Sequence, residues 1–209
     1  MQLPLRGSNV SSINVSNLNQ NCVRLIDDTR KYTFKILEKG FPYHYTIGLF
    51  QTETNCRWLI SRDGVGSIGY AQITPSMWDR YLLPYAPNYK VKDHPDHIIA
   101  TKILLKHYMQ RNTCNKLWIT YQIHNGGFLI LRECKRANSC EWKDCKNNCR
   151  RRDVCVLFDN TTKTCKQFRN ACEITYSYSQ KVHQYGLRYK NYIETKYKDK
   201  FDNKKYTYW

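Results

Sequence analysis

Apolar positions recur at helical spacing through most of this chain. Asp27-Asp28-Thr29 offers a cap ahead of Tyr32, Ile36 and Leu37, which predicts a helix from Thr29 to Lys39 with Gly40 as its stop. Pro42 opens a second helix through Tyr45, Leu49 and Phe50 to about Asn55. The Gly-rich run Asp63-Gly64-Val65-Gly66-Ser67-Ile68-Gly69 reads as a loop or tight turn. Thr74 caps, and Pro75 starts, a further helix. Prolines at 84, 87 and 95 mark residues 84–96 as mostly loop. A strong helical pattern then runs through Ile98, Ile99, Ile103, Leu104 and Tyr108. Another runs from Asn115 to about Ile123, ending at Asn125-Gly126-Gly127, and a last from Ile174 to about Tyr189. The Asn- and Ser-rich residues 1–24 read as an extended arm, and the Lys- and Tyr-rich residues 191–209 as a tail that packs or stays loose. The expected fold class is mainly α.

Composition adds two facts to that pattern. A hydrophobic fraction of 41% over 209 residues suits one folded domain with a real core. The formal charge of +17 suits polyanionic partners: nucleic acid, anionic lipid or anionic cell-wall polymer. The plainer reading is a solvated basic surface. No apolar run is long enough to span a bilayer. Met1 to Ser8 lack the basic and apolar regions of a secretory signal, so synthesis in the cytoplasm is expected.

Seven of the ten cysteines, Cys134, Cys140, Cys145, Cys149, Cys155, Cys165 and Cys172, fall in one basic stretch, which reads as an insertion over residues 130–172. Disulfides and zinc compete as its chemistry. A reducing cytosol favours zinc, with Cys134, Cys140, Cys145 and Cys149 as candidate ligands. The spacings favour disulfides: there is no C-x2-C pair, and no His lies among these cysteines. An odd seven calls for one partner among Cys22, Cys56 and Cys114. The basic runs Lys135-Arg136 and Arg150-Arg151-Arg152 suit an anionic wall polymer or DNA, though no aromatic-interleaved nucleic-acid motif accompanies them.

Four stretches in order resemble the soluble lytic transglycosylase (SLT-type) domain, a relative of goose-type lysozyme. They are Glu53-Thr54-Asn55 followed by Gly66 to Pro75; His94-Pro95-Asp96-His97-Ile98; Leu117 to Gly127; and Thr175 to Val182. The resemblance covers about residues 41–127 and 174–186. It implies a lysozyme-like helical domain over 25–190, interrupted by the Cys-rich insertion. It also implies one catalytic carboxylate, Glu53, with Gln72, Asn125 and Tyr178 shaping the site. Ser67, Ile68, Ile73 and His124 complete the expected substrate-binding set. His124 stands where the family pattern has Tyr, and Thr54 where it has Ser.

The residues support the same chemistry independently. Glycoside cleavage needs an acid that keeps its proton near neutral pH, and a Glu at the end of an apolar helix is desolvated toward that state. The resemblance implies that Glu53 protonates the oxygen between MurNAc and GlcNAc, then removes the C6 proton so that a 1,6-anhydro ring closes. A second carboxylate, Asp63 or Asp79, would instead support the hydrolysis of a muramidase. Two further alternatives are a non-catalytic wall-binding module of a virion or secretion machine, and a basic DNA-associated structural protein. The partners expected are bacterial peptidoglycan, with other virion proteins or packaged DNA as secondary ones. The setting expected is a phage virion, or the host periplasm and cell wall, in entry or lysis.

Overall fold

The computed structural model describes residues 17–61, 66–84, 86–88, 94–159, 161–162 and 164–209. Asp63 and the first sixteen residues of the expected arm lie outside that set. The described chain is mainly helical. In order it runs α1 (Gln20–Arg24), α2 (Ile26–Ile36), α3 (His44–Thr54), α4 (Pro75–Met77), a π-helical turn (Trp78–Leu82), α5 (His94–Arg111), α6 (Leu117–Gly126), α7 (Leu129–Ala137), α8 (Trp142–Asn147), strands β1 (Val154–Asp159) and β2 (Thr164–Arg169), and α9 (Ala171–Tyr197). The strands form one antiparallel hairpin with irregular register between Cys155 and Phe158.

Helix α3 is the axis of the core. Residues His44 to Phe50 are all buried, so it has no solvated face over these seven positions, as expected of a helix surrounded by others. It ends where Asn55 takes the left-handed conformation and its N–H caps the carbonyls of Gln51 and Phe50. Cys56 follows and is bonded to Cys22 of α1, which pins the start of the described chain to the end of α3.

Helix α9 crosses α3 at glycines. A Cβ at Gly48 would overlap the Val182 carbonyl oxygen, and one at Gly186 would lie within about 3 Å of the Tyr45 backbone. Two residues without side chains therefore let the backbones touch. This approach is what brings Tyr178 of α9 to Glu53 of α3.

Several boundaries differ from those expected. Helix α9 runs from Ala171 to Tyr197, not from 174 to 189. It begins earlier because the Asn170 side chain accepts the Glu173 N–H at 3.0 Å, a polar cap hidden within a Cys- and Arg-rich stretch. It ends later because its last turns lie against α2: Tyr197 donates to Asp27 at 2.6 Å. Helix α2 starts and stops three residues early, since Leu37 leaves the helical backbone before Gly40.

The tail packs. Tyr206 meets Phe41 edge-on at 5.1 Å between ring centres, and Tyr208 is buried with its hydroxyl donating to the Ser179 carbonyl at 2.7 Å. Helix α6 has no side-chain N-cap; instead the Leu117 and Trp118 N–H groups donate to the carbonyls of Thr207 and Tyr208. The tail thus satisfies helix-end donors that would otherwise be unpaired.

All ten cysteines are paired: Cys22–Cys56, Cys114–Cys140, Cys134–Cys145, Cys149–Cys172 and Cys155–Cys165. Cys114 is the partner from outside the cluster. The zinc alternative at Cys134, Cys140, Cys145 and Cys149 is corrected accordingly, because zinc binds thiolates and a disulfide sulfur has none to offer. Among the described residues, no group of three or more His, Cys, Asp or Glu side chains is placed to hold a metal ion. No described helix is long and apolar enough to cross a membrane. Five disulfides are compatible with an extracellular or periplasmic setting.

Candidate active site

The backbone around Ala71 is held from three sides. Residues 59–61 and 66–73 are drawn together by bridges of Ile68 to Ile60 and to Ile73. Gly69 turns the chain with φ +79° directly against the His97 ring, where a Cβ has no room. Thr54 at the end of α3 donates to the Tyr70 carbonyl at 3.2 Å. The Ala71 N–H donates to His97 Nε2 on α5 at 3.0 Å. The Ala71 carbonyl accepts from His124 Nε2 on α6 at 2.7 Å.

That last bond settles the tautomer of His124. A carbonyl only accepts, so Nε2 carries the proton. The ring is 2% exposed, and its Nδ1 is buried with no hydrogen-bond partner. Burial pushes the imidazole down to about 4, which the Ala71 bond only partly offsets, so His124 is neutral at pH 7.

Glu53 sits one residue before the end of α3, with its side chain 18% exposed. Its Oε1 accepts the Tyr178 hydroxyl at 2.6 Å. His124 Nε2 lies 3.8 Å from the same oxygen, a contact of a neutral ring rather than an ion pair. Desolvation raises the Glu53 carboxyl from the usual range to about 7; the Tyr178 hydrogen bond opposes this without cancelling it. Burial and the neighbouring Glu53 carboxylate hold the Tyr178 phenol well above its ordinary value, so it remains a donor. Three elements distant in sequence thus place a half-protonated carboxyl, a phenol and a neutral imidazole together. Such a group can give a proton and take one back near neutral pH.

The other expected residues divide. Gln72, with φ +49°, donates its amide to the carbonyls of Gly69 at 2.7 Å and Leu59 at 3.3 Å, so it braces the loop. The Ile73 side chain is buried in the core, while Ile68 is half-buried at the bridge. Ser67 is buried and its carbonyl accepts from Ser61. Asn125 is exposed near the end of α6, and Gly127 rather than Asn125 occupies the capping position. Asp79 is exposed on the π-helical turn.

His97 is the residue that motif reading did not single out. Its signal was available: His97, Thr101, Leu104, Leu105 and Tyr108 repeat at helical spacing, which puts His97 on the buried face of α5. Beyond Asn125 and Gly126, a cavity of about 610 Å³ opens between α7, the loop before β1, and α9. None of the protein-family models, curated proteins or solved structures compared with this chain matches it.

Proposed function

We propose that this chain is a lytic transglycosylase of bacterial peptidoglycan, cleaving the bond between MurNAc and GlcNAc with Glu53 as its one acid and base. The observation that carries this reading is the Glu53 carboxyl, raised to about 7 by burial and seated between Tyr178 and His124. A carboxyl so poised is protonated often enough to act as acid and ionised often enough to act as base. The ordered resemblance of Glu53, Gly66–Pro75, Asn125 and Tyr178 to the SLT pattern supports the same reaction.

In this reaction Glu53 gives its proton to the glycosidic oxygen as the C1–O bond breaks, releasing GlcNAc with a free 4-hydroxyl. The Glu53 carboxylate then takes the proton from the MurNAc C6 hydroxyl. O6 bonds to C1, closing the 1,6-anhydro ring and leaving Glu53 protonated for the next turnover. Water is not consumed. Tyr178 orients the carboxyl and favours its ionised form in the second half. His124 and His97 hold the Ala71 backbone against the site.

The test is digestion of purified peptidoglycan followed by mass spectrometry of the products. Ends 18 Da below reducing ends, the mass of one water, are expected. Glu53→Gln is expected to lose at least about a thousand-fold in rate with its helical content intact. Reducing ends would convert the reading to a muramidase, and full activity of Glu53→Gln would overturn the assignment of Glu53.

A further inference from the structure

The cavity beyond Asn125 has a chemistry of its own. Among the described residues, five guanidinium groups line it, those of Arg132, Arg136, Arg150, Arg151 and Arg152, against one carboxylate, Glu133. That carboxylate is already matched: Arg151 Nε donates to Glu133 at 2.7 Å, and Tyr176 donates to it at 2.9 Å. Arg136 is occupied by the Asn148 carbonyl. Arg132, Arg150 and Arg152 are exposed, and among the described residues none of them has a hydrogen bond or ion pair. Leu129, Val154, Ala171 and Ile174 add aliphatic surface to the lining, beside Asn125, Gly126 and Thr175.

This is a compact pocket with an apolar floor and three unpaired forks. Nucleic acid in single-stranded form stacks on aromatic rings, and among the described residues no aromatic side chain lines the cavity. A short acidic peptide with small apolar side chains fits better. Methyl groups would cover the aliphatic floor, and carboxylates would pair bidentately with the guanidinium planes. The cavity borders Asn125, which the reading proposed above counts among the residues that bind substrate.

Resting on that reading, we infer that the arginine pocket formed by α7, the loop before β1 and α9 is a subsite for the peptide stem of the strand being cleaved. It takes the carboxylates of the alanine-rich peptide that each MurNAc carries on its lactyl group. The enzyme then grips substituted glycan and holds bare glycan weakly.

The experiment measures co-sedimentation with sacculi, using Glu53→Gln protein so that nothing is digested. Three preparations serve: sacculi stripped of phosphate polymers by acid, the same sacculi with carboxylates capped as methylamides, and walls that keep their phosphate polymers. The protein carrying Arg132→Ala, Arg150→Ala and Arg152→Ala in addition is expected to bind stripped sacculi about ten-fold more weakly, with a shallower salt dependence. Capping is expected to weaken the parent by a similar factor and the triple variant hardly at all. The capping arm alters only the wall, so a parent protein indifferent to capping overturns the inference even if the variant folds poorly. Equal binding by parent and variant, or no effect of capping, overturns the inference. So does arginine-dependent binding confined to phosphate-bearing walls, or to duplex DNA used as competitor. Failure of the wild-type chain to release glycan overturns the proposed reaction, while this binding result is read independently of it.

Discussion

Glu53 is costly to the fold in its ionised form, and that cost is measurable. Its carboxyl lies at about 7 in the folded chain against 4.5 for an ordinary one. A raised carboxyl favours the folded state fully below the ordinary value, and the benefit is lost as pH rises through about 7. Glu53→Gln mimics the protonated form, so at pH 8 it is expected to be more stable than wild type by up to about 3 kcal/mol, converging below pH 4.5. Denaturant melts at the two pH values check this. Activity follows the same titration: kcat/KM is expected to fall as pH rises through about 7, because the acid form starts the reaction. On the acid side, His124 charges near 4 and places an imidazolium beside the carboxyl. Tyr178→Phe removes a hydrogen bond that favours the carboxylate, so its alkaline limb is expected to move to higher pH, with rate lost as well. A limb that stays in place would show that Tyr178 does not act on Glu53.

Between elements, the site depends on how closely α3 and α9 approach. The donor and acceptor of the Glu53–Tyr178 bond are 125 residues apart in sequence and belong to helices that touch at Gly48 and Gly186. Gly48→Ala is expected to force these helices apart, lowering stability by about 1–3 kcal/mol and kcat more than KM. Thermal melts and steady-state kinetics on soluble glycan check both. Helix α5 shows why element positions were readable while their roles were not. Its pattern predicts a helix, yet Lys102 on it is fully buried, donating to Thr46 at 2.7 Å, with burial holding its amine well below the ordinary value. Residue type alone would have placed that lysine in water.

Across the whole molecule, the disulfides act at two levels. Cys22–Cys56 closes a separation of 34 residues onto the end of α3, and replacing both with Ser is expected to cost about 3–4 kcal/mol. Cys155–Cys165 staples a hairpin whose Leu157 and Phe168 are exposed, so its loss is expected to leave the main melting transition nearly unchanged. Calorimetry of the two double variants separates them, and intact mass without reductant is expected to show about 2 Da lost per bridge. Besides Cys114–Cys140 and Cys149–Cys172, the Cys-rich segment is tied to the helical body by the hydrogen-bonded group of Glu133, Arg151, Tyr176 and Thr175. It joins α7, the loop before β1 and α9 around the pocket wall.

The sequence by itself determined the helical class and the order of most elements, and it singled out Glu53 as a candidate for acid–base work. Apolar spacing, caps and glycine stops act over a few residues, so local pattern is enough to read them. It also narrowed the outside partner of the Cys-rich segment to three cysteines, because seven is odd. Only the tertiary structure decided what those residues do. Gln72 braces a loop and Ile73 joins the core, because their neighbours come from the chain folding back on itself. The tail caps α6 because spare carbonyls happen to arrive where N–H groups lack partners. The proton affinity of Glu53 is likewise a property of its surroundings: desolvation by α3, α9 and α6 together raises it, and no stretch of sequence contains that burial.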